Sequence, residues 1–454
     1  MNARQPLWTW AELCQSLGLP EIDGPDVSGI HFDSRLIQPG DLFLPLPGDP
    51  GPRFQVGVRS ERDGHDYISG AIENGAVGLL ASKKVDTTVP NLRVSDSIDA
   101  LWTLGRFRRR QLTDCLVVAI TGSSGKTTLK AFLQSTTGGF SAQGSFNNYI
   151  GLPLSLAVTP KDTKIGIYEI GTNHPGEIGP LSELTQPNVV AVLNVLPVHI
   201  GHFRDLEALE EEKFSIGQGI TDDGCVVLPY SLMNTKYVSR ELRRVTFGLE
   251  PESDVAIKHV EEGRFEFIHG TERITVEVPG GGQHRAESVA ACGAVLVALN
   301  QPLENLQKLA PTLPPGRGNY FEVNEVTIID DSYNANPTSM IAALRELRKR
   351  RASGRKIALL GQMNELGSHA KELHERIAPE VRDIDILYCV GDLMRHLYEN
   401  VDSSLEKHFF EQVSSELLNH LAGVLNRQDV VLVKGSNSFF WQANFVQNLR
   451  QELA

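Results

Sequence analysis

Residues 118–130, VAITGSSGKTTLK, run from a β-branched apolar stretch through Gly-Ser-Ser-Gly-Lys-Thr-Thr into helix-forming residues. Cys115 to Ile120 are apolar enough for a buried strand, and Thr127 onward, with Leu129, Lys130, Ala131, Phe132 and Leu133, favours a helix. Gly122 and Gly125 permit a tight turn in which successive backbone N–H groups and the helix N-terminus face an anion. Ser123, Ser124 and Thr128 complete this loop, Lys126 adds a point charge for the outer phosphates of ATP, and Thr127 offers a hydroxyl to Mg²⁺. The commoner phosphate loop has a further glycine where Ile120 stands, so this is the shorter Thr-Gly-x-x-Gly-Lys-Thr form. An ordinary Gly/Ser loop is disfavoured because strand, loop and helix occur in the required order.

Outward from this loop the patterns repeat. KIGIYEI, NVVAVLNV and the helical PGEIGPLSELT and DLEALEEEKFSIGQGI alternate strand with helix, which argues for a mostly parallel sheet with helices on both faces. Before residue 97, short strands and Gly/Pro/Asp turns, the helical YISGAIENGA and the strand VGLLAS suggest a small α/β domain. PTLPPGRGN has the composition of a hinge; beyond it VTIID, KIALLG, ILYCVG and VVLVKG are apolar strands between helical stretches, a second doubly wound α/β unit. The expected domains are 1–96, 97–314 and 315–454, in keeping with a length of 454 residues.

The net charge of −13 argues against a broad nucleic-acid-binding surface, so an anionic substrate would need local basic pockets. Cys14, Cys115, Cys225, Cys292 and Cys389 lack paired spacing, as free thiols in a reducing compartment do. No apolar run is long enough to span a bilayer and the N-terminus lacks a leader pattern. A cytoplasmic monomer without membrane insertion is expected.

Glu169 ends a predicted strand, as the phosphate loop does, and is therefore a candidate Mg²⁺ ligand. His199 follows another strand, where a lone histidine is more often structural than a ligand. Lys213 lies beside Glu210, Glu211 and Glu212, and on composition alone it is a solvated surface charge. In IIDDSYNANPTSM, Asp330 and Asp331 end a strand and Asn334, Asn336 and Pro337 lead into a helix; turns and caps account for most of that density of amides and carboxylates.

Taken together, DSR at 33–35 with PGDLF after it, DGHDYISGAIENGA, TGSSGKTT, GSFNNYIGLPLSL, YEIGTNHPGEI, His199 with Lys213, GRG at 316–318, DDSYNANPTSM, MNELG at 363–367 and KGS at 434–436 resemble the Mur ligase family over nearly the whole chain. GTNHPGEI and DSYNANPTSM resemble its D-alanyl-D-alanine-adding branch in particular. The resemblance implies transfer of the ATP γ-phosphate to the terminal carboxylate of a UDP-N-acetylmuramoyl tripeptide, then attack by the amine of D-alanyl-D-alanine on the acyl phosphate. It implies that Thr127 and Glu169 surround one Mg²⁺, that His199 binds a second, and that Lys213 is carbamylated by CO₂ into an anion, which reverses the reading of Lys213 from composition. It further implies Arg317, Asp331 and Asn334 near the nucleotide, Ser34 and Arg35 at the uridine nucleotide, Asn147 and Asn148 at the sugar-peptide, and Lys434 and Ser436 at the amino substrate.

The chain also departs from the family pattern. The helix lining the adenine pocket usually opens His-Asn-x-x-Asn, but here Arg285 and Ser288 replace the amides; Asn437 follows Lys-Gly-Ser where arginine is usual; and residues 49–62 form an insertion. Competing readings are an amide ligase joining a different acid and amine, a nucleotide-binding pseudoenzyme, and a small-molecule kinase.

Overall fold

The computed structural model describes residues 4–49, 62–197, 200–261, 263–310, 312–350 and 352–454; His199 and most of the 49–62 insertion lie outside them. Within the described residues the strands form three sheets. The first is parallel throughout: β1 (Gly29–His31), β2 (Asp41–Phe43), β3 (Ala76–Ala81) and β4 (Asn91–Arg93), in that order.

The second sheet holds β5 (Leu116–Thr121), β6 (Ile165–Glu169), β7 (Val189–Val192), β8 (Cys225–Pro229), β9 (Arg243–Gly248), β10 (Val255–Glu261), β11 (Arg264–His269) and β12 (Glu272–Glu277). Its order is β12-β11-β10-β9-β8-β7-β5-β6, parallel from β6 to β10 and antiparallel through the last two pairs. Alternate residues of β5 serve opposite faces. Val118 and Ile120 pack with the helices Lys126–Thr137 and Gln283–Ala298, while Val117 and Ala119 pack under Gly151–Ala157 and Ile178–Thr185. Helices therefore cover both faces, as the alternating pattern predicts. Since β5 has β7 on one side and β6 on the other, the chain reverses direction of growth at β5, and a crevice opens beyond its C-terminal end.

The third sheet runs β13 (Asn319–Val323), β14 (Val326–Asp331), β18 (Val430–Lys434), β15 (Lys356–Gly361), β16 (Ile386–Val390), β17 (Glu406–Phe410); only β13 is antiparallel. The four apolar runs read from sequence are the four inner strands. The two edge strands were not legible as such, because NYFEV and EKHFF are half-exposed and polar, as edges are.

All five cysteines are free and buried. No helix among the described residues is long and apolar enough to cross a membrane.

Candidate active site

The phosphate loop sits at the C-terminal end of β5. Gly125 caps the following helix at φ +85°, a conformation costly for any residue with a Cβ, and this aims the first N–H groups of Lys126–Thr137 into the crevice. The segment after β7 braces the loop from beneath. Ser124 N–H donates to Asn194 Oδ1 at 3.0 Å, Ser123 N–H to the Asn194 carbonyl at 3.2 Å, and Ser123 Oγ to the Leu196 carbonyl at 2.9 Å. Asn194 was missed from sequence, although its place just past a buried strand, in AVLNV, was the available signal.

Three side chains meet on Thr127. Its hydroxyl donates to Glu169 Oε2 at 3.1 Å, accepts from Arg317 Nη2 at 2.8 Å and lies 3.1 Å from Ser145 Oγ. Glu169, at the end of β6, is 2% exposed. Its Oε1 is 3.2 Å from Lys130 Nζ, but the angle makes no hydrogen bond, and Lys130 is turned to the carbonyls of Ala142 and Gly144. Lys130 was also missed; it lies three residues after Thr127 on the same helical face. A buried carboxylate oxygen without a hydrogen bond, next to a hydroxyl, suits a hard divalent cation with oxygen ligands. Lys126 Nζ donates to the Gly122 carbonyl at 2.7 Å, and burial lowers its pKa while Glu169 pulls the other way.

Lys213 is not a surface charge. In the helix Leu206–Phe214, Leu209, Glu212 and Lys213 fall at i, i+3 and i+4 and share the buried face, and Lys213 is 3% exposed. Glu212 does not pair with it; its carboxylate accepts the N–H groups of Gly176, Glu177 and Ile178 at 2.6, 3.0 and 2.8 Å, so it caps the helix that follows GTNHPGEI. Among the described residues Lys213 Nζ has no hydrogen bond or ion pair. Burial, then the nearby Lys126, brings its pKa down to about 7 against the attraction of Glu212.

The crevice is a cleft of about 670 Å³ whose walls come from two sheets. Ser123 to Thr128, Asn147 and Ser288 line one side; Arg317, Asp331, Asn334 and Lys434 line the other. Lys434 Nζ donates to Asp331 Oδ2 at 2.7 Å and to the Asn334 carbonyl at 3.1 Å. Asn437 donates to the Tyr333 carbonyl at 3.2 Å, and Arg317 stacks over the Tyr333 ring at 4.1 Å. Ser436 Oγ accepts Asn364 N–H at 2.8 Å, and Asn336 caps the next helix as the cap reading predicted.

Other sequence-predicted residues stand apart from this constellation. Asn148 Oδ1 caps Ile150 and Gly151, at 3.1 and 2.8 Å. Arg35 is exposed and paired with Asp33 at 2.6 Å, while the Ser34 carbonyl accepts from Asn74; neither Ser34 nor Arg35 lines the cleft.

Two family models match the chain: the Mur ligase middle domain over residues 120–296 and the Mur ligase glutamate ligase domain over residues 316–437. A UDP-N-acetylmuramoyl-tripeptide–D-alanyl-D-alanine ligase of Rickettsia prowazekii is 29% identical over 450 residues, 95% of this chain and 97% of its own. The Bacillus subtilis protein of that name is 29% identical, with 93% of each chain covered. Among solved structures, MurF from Acinetobacter baumannii superposes with a TM-score of 0.82 at 26% identity over 99% of both chains. MurF from Thermotoga maritima in complex with ADP does so with a TM-score of 0.75 at 28% identity, over 94% of this chain and 97% of that one.

Proposed function

Because the chain belongs to the Mur ligase family, we propose that it joins D-alanyl-D-alanine to a UDP-N-acetylmuramoyl tripeptide in peptidoglycan precursor synthesis, with ATP converted to ADP and phosphate. One observation carries this reading: Arg317, from the segment leading into the third sheet, donates to Thr127 in the phosphate loop at 2.8 Å, so two units of the chain meet where a phosphoryl group would be transferred. A kinase fold with a single nucleotide unit would not need the second wall.

The chemistry requires an acid's carboxylate to approach the γ-phosphate, two anions that repel. Loop N–H groups, Lys126 and Arg317 place positive charge at that point in a partly water-excluded cleft, where it counts more than in bulk water. The carboxylate oxygen forms a bond to the γ-phosphorus as the bond to the ADP oxygen breaks. The amine nitrogen of the dipeptide then bonds to the acyl carbon, phosphate leaves with the C–O electron pair, and the amine gives up a proton. Thr127 and Glu169 would hold Mg²⁺, with His199 and Lys213 as further ligands, and Mg²⁺ when bound would offset phosphate charge. Lys213 suits carbamylation because burial brings its pKa to about 7, so that a substantial neutral fraction of the amine near pH 7 can bond to CO₂, releasing a proton and becoming an anion.

Residues 1–96 serve as the UDP-sugar unit with Ser34 and Arg35 at the nucleotide, 97–314 as the ATP unit with Asn147 and Asn148 toward the sugar-peptide, and 315–454 as the closing unit with Asp331 and Asn334 at ATP and Lys434 and Ser436 at the dipeptide. We read the protein as a monomer that acts in the cytoplasm.

The test is phosphate release and product mass with ATP, Mg²⁺, UDP-N-acetylmuramoyl tripeptide and D-alanyl-D-alanine, each omitted in turn. Release that needs both acceptors, with a UDP-N-acetylmuramoyl pentapeptide product, is expected. ATP binding without such a product would assign the chain a different acid and amine.

A further inference from the structure

Arg285 lines the cleft at a position where the family pattern expects an amide facing adenine, yet its guanidinium hydrogen-bonds to backbone carbonyls of the neighbouring turn. The residue is 8% exposed. Its Nη1 donates to the Gly280 carbonyl at 2.6 Å and to the Gly281 carbonyl at 3.3 Å, in the turn that leads into the helix Gln283–Ala298. The Gly280 carbonyl also accepts from the Tyr320 hydroxyl of β13 at 3.1 Å, so one acceptor ties the second sheet's turn to the third sheet. The other side of the guanidinium lies against Gly318: a Cβ there would overlap Arg285 Nη2, and Gly318 has φ +87°. Gly316, two residues earlier, is held in the same way, with a would-be Cβ 2.7 Å from the Trp441 ring.

The residue between these two glycines is Arg317. Its flanking glycines are bonded to Tyr333 N–H and to the Asp330 carbonyl and lie close against Trp441 and Arg285 respectively, and its side chain reaches Thr127 at 2.8 Å while stacking on Tyr333. We infer that Arg285 is a positioning residue that wedges the 316–318 hinge and thereby sets Arg317 at the outer phosphates, rather than a reader of the adenine base. The inference rests on the ATP reading above. It accounts for a guanidinium at this position, since one nitrogen bonds the Gly280 carbonyl while another lies against Gly318.

The test compares ATP with AMP, which lacks the outer phosphates, by equilibrium binding to the full chain. For Arg285→Ala, ATP affinity is expected to fall about tenfold while AMP affinity stays within about twofold, and in an Arg317→Ala background the same change should cost ATP less than about twofold. Arg285→Lys, which keeps a donor for Gly280, should recover part of the ATP loss; it also serves if the alanine variant does not fold. Equal losses for ATP and AMP would make Arg285 a base contact and overturn the inference, as would a full additive loss in the Arg317→Ala background. If the unaltered protein binds ATP but no variant changes it, the wedge alone fails; if it binds no ATP, the function itself is wrong.

Discussion

The central sheet is joined to its two neighbours in opposite ways. Toward the N-terminal sheet the joint is apolar and buried: Ala100, Leu101 and Leu104 of the helix Ser97–Gln111 pack with Leu154, Ala157, Leu42 and Leu44 in one cluster. Gly105 brings that helix so close that a Cβ would lie 3.0 Å from the Pro153 carbonyl oxygen, Trp8 Nε1 donates to the Ala157 carbonyl at 2.8 Å, and the fully buried Arg108 stacks on Trp8 at 4.1 Å. Toward the C-terminal sheet the joint is polar and rich in glycine. It includes Arg317 on Thr127, Tyr320 on the Gly280 carbonyl, and Gly201 so near Gly367 that a Cβ on the latter would sit 2.6 Å from the Gly201 Cα. Apolar area, once buried, resists exposure to water, whereas a few polar contacts exchange with water at small net cost. By this physics the first joint resists opening, and the closing over ATP proposed for residues 315–454 would take place at the second.

The largest expected effect belongs to the cleft floor and leaves both joints intact. Lys126→Ala should lower kcat by about 10²–10³ with no change in thermal midpoint; a comparable loss of stability would mean that the phosphate loop holds the joints together. Next comes Gly201→Val, whose Cβ would meet Gly367 at 2.8 Å and which should lower kcat about tenfold by displacing residues 315–454, again with an unchanged midpoint, measured by steady-state kinetics and calorimetry. If kcat is untouched, the second joint does not need that approach.

Arg108→Ala should do the reverse, costing about 2 kcal/mol of stability from lost stacking and packing while the ATP dissociation constant stays put. Denaturant titration and calorimetry read the two. Last, and smallest in its bearing on the two joints, is the effect of Lys213→Met on stability. With a folded pKa of about 7 against an ordinary 10.5, the unfolded chain binds more protons between those values, so the unaltered protein gains stability as pH rises through that window. The methionine variant should therefore be the more stable by the widest margin at and below pH 7, with the margin closing toward pH 10.5. Over that window it should narrow by at most about 1.4 kcal/mol for each step of one in pH, which denaturant titration at several pH values would follow. Carbamylation would shrink the margin at neutral pH, and CO₂-free buffer should restore it.

Local pattern made much of this legible. Strand, loop and helix at 118–130 are where the sequence places them, and the inner strands of the third sheet are its four most apolar runs. The acids around Lys213 hid the i, i+3, i+4 face that buries it, because composition reports average polarity and not direction. Asn194 and Lys130 carry no motif of their own and become part of the site only through the loop they touch.

What the sequence determined by itself is whatever depends on neighbours along the chain: the phosphate loop, the period-2 alternation that puts Val118 and Ile120 on one face of β5, the caps, and the α/β class. Tertiary structure decided which groups are stripped of water and which partners they find. That is why Glu212 caps a helix while the adjacent Lys213 lies buried with no partner among the described residues, and why Arg285 lies against residues 316–318. Desolvation and hydrogen bonding between distant segments set those roles, and neither is encoded in spacing.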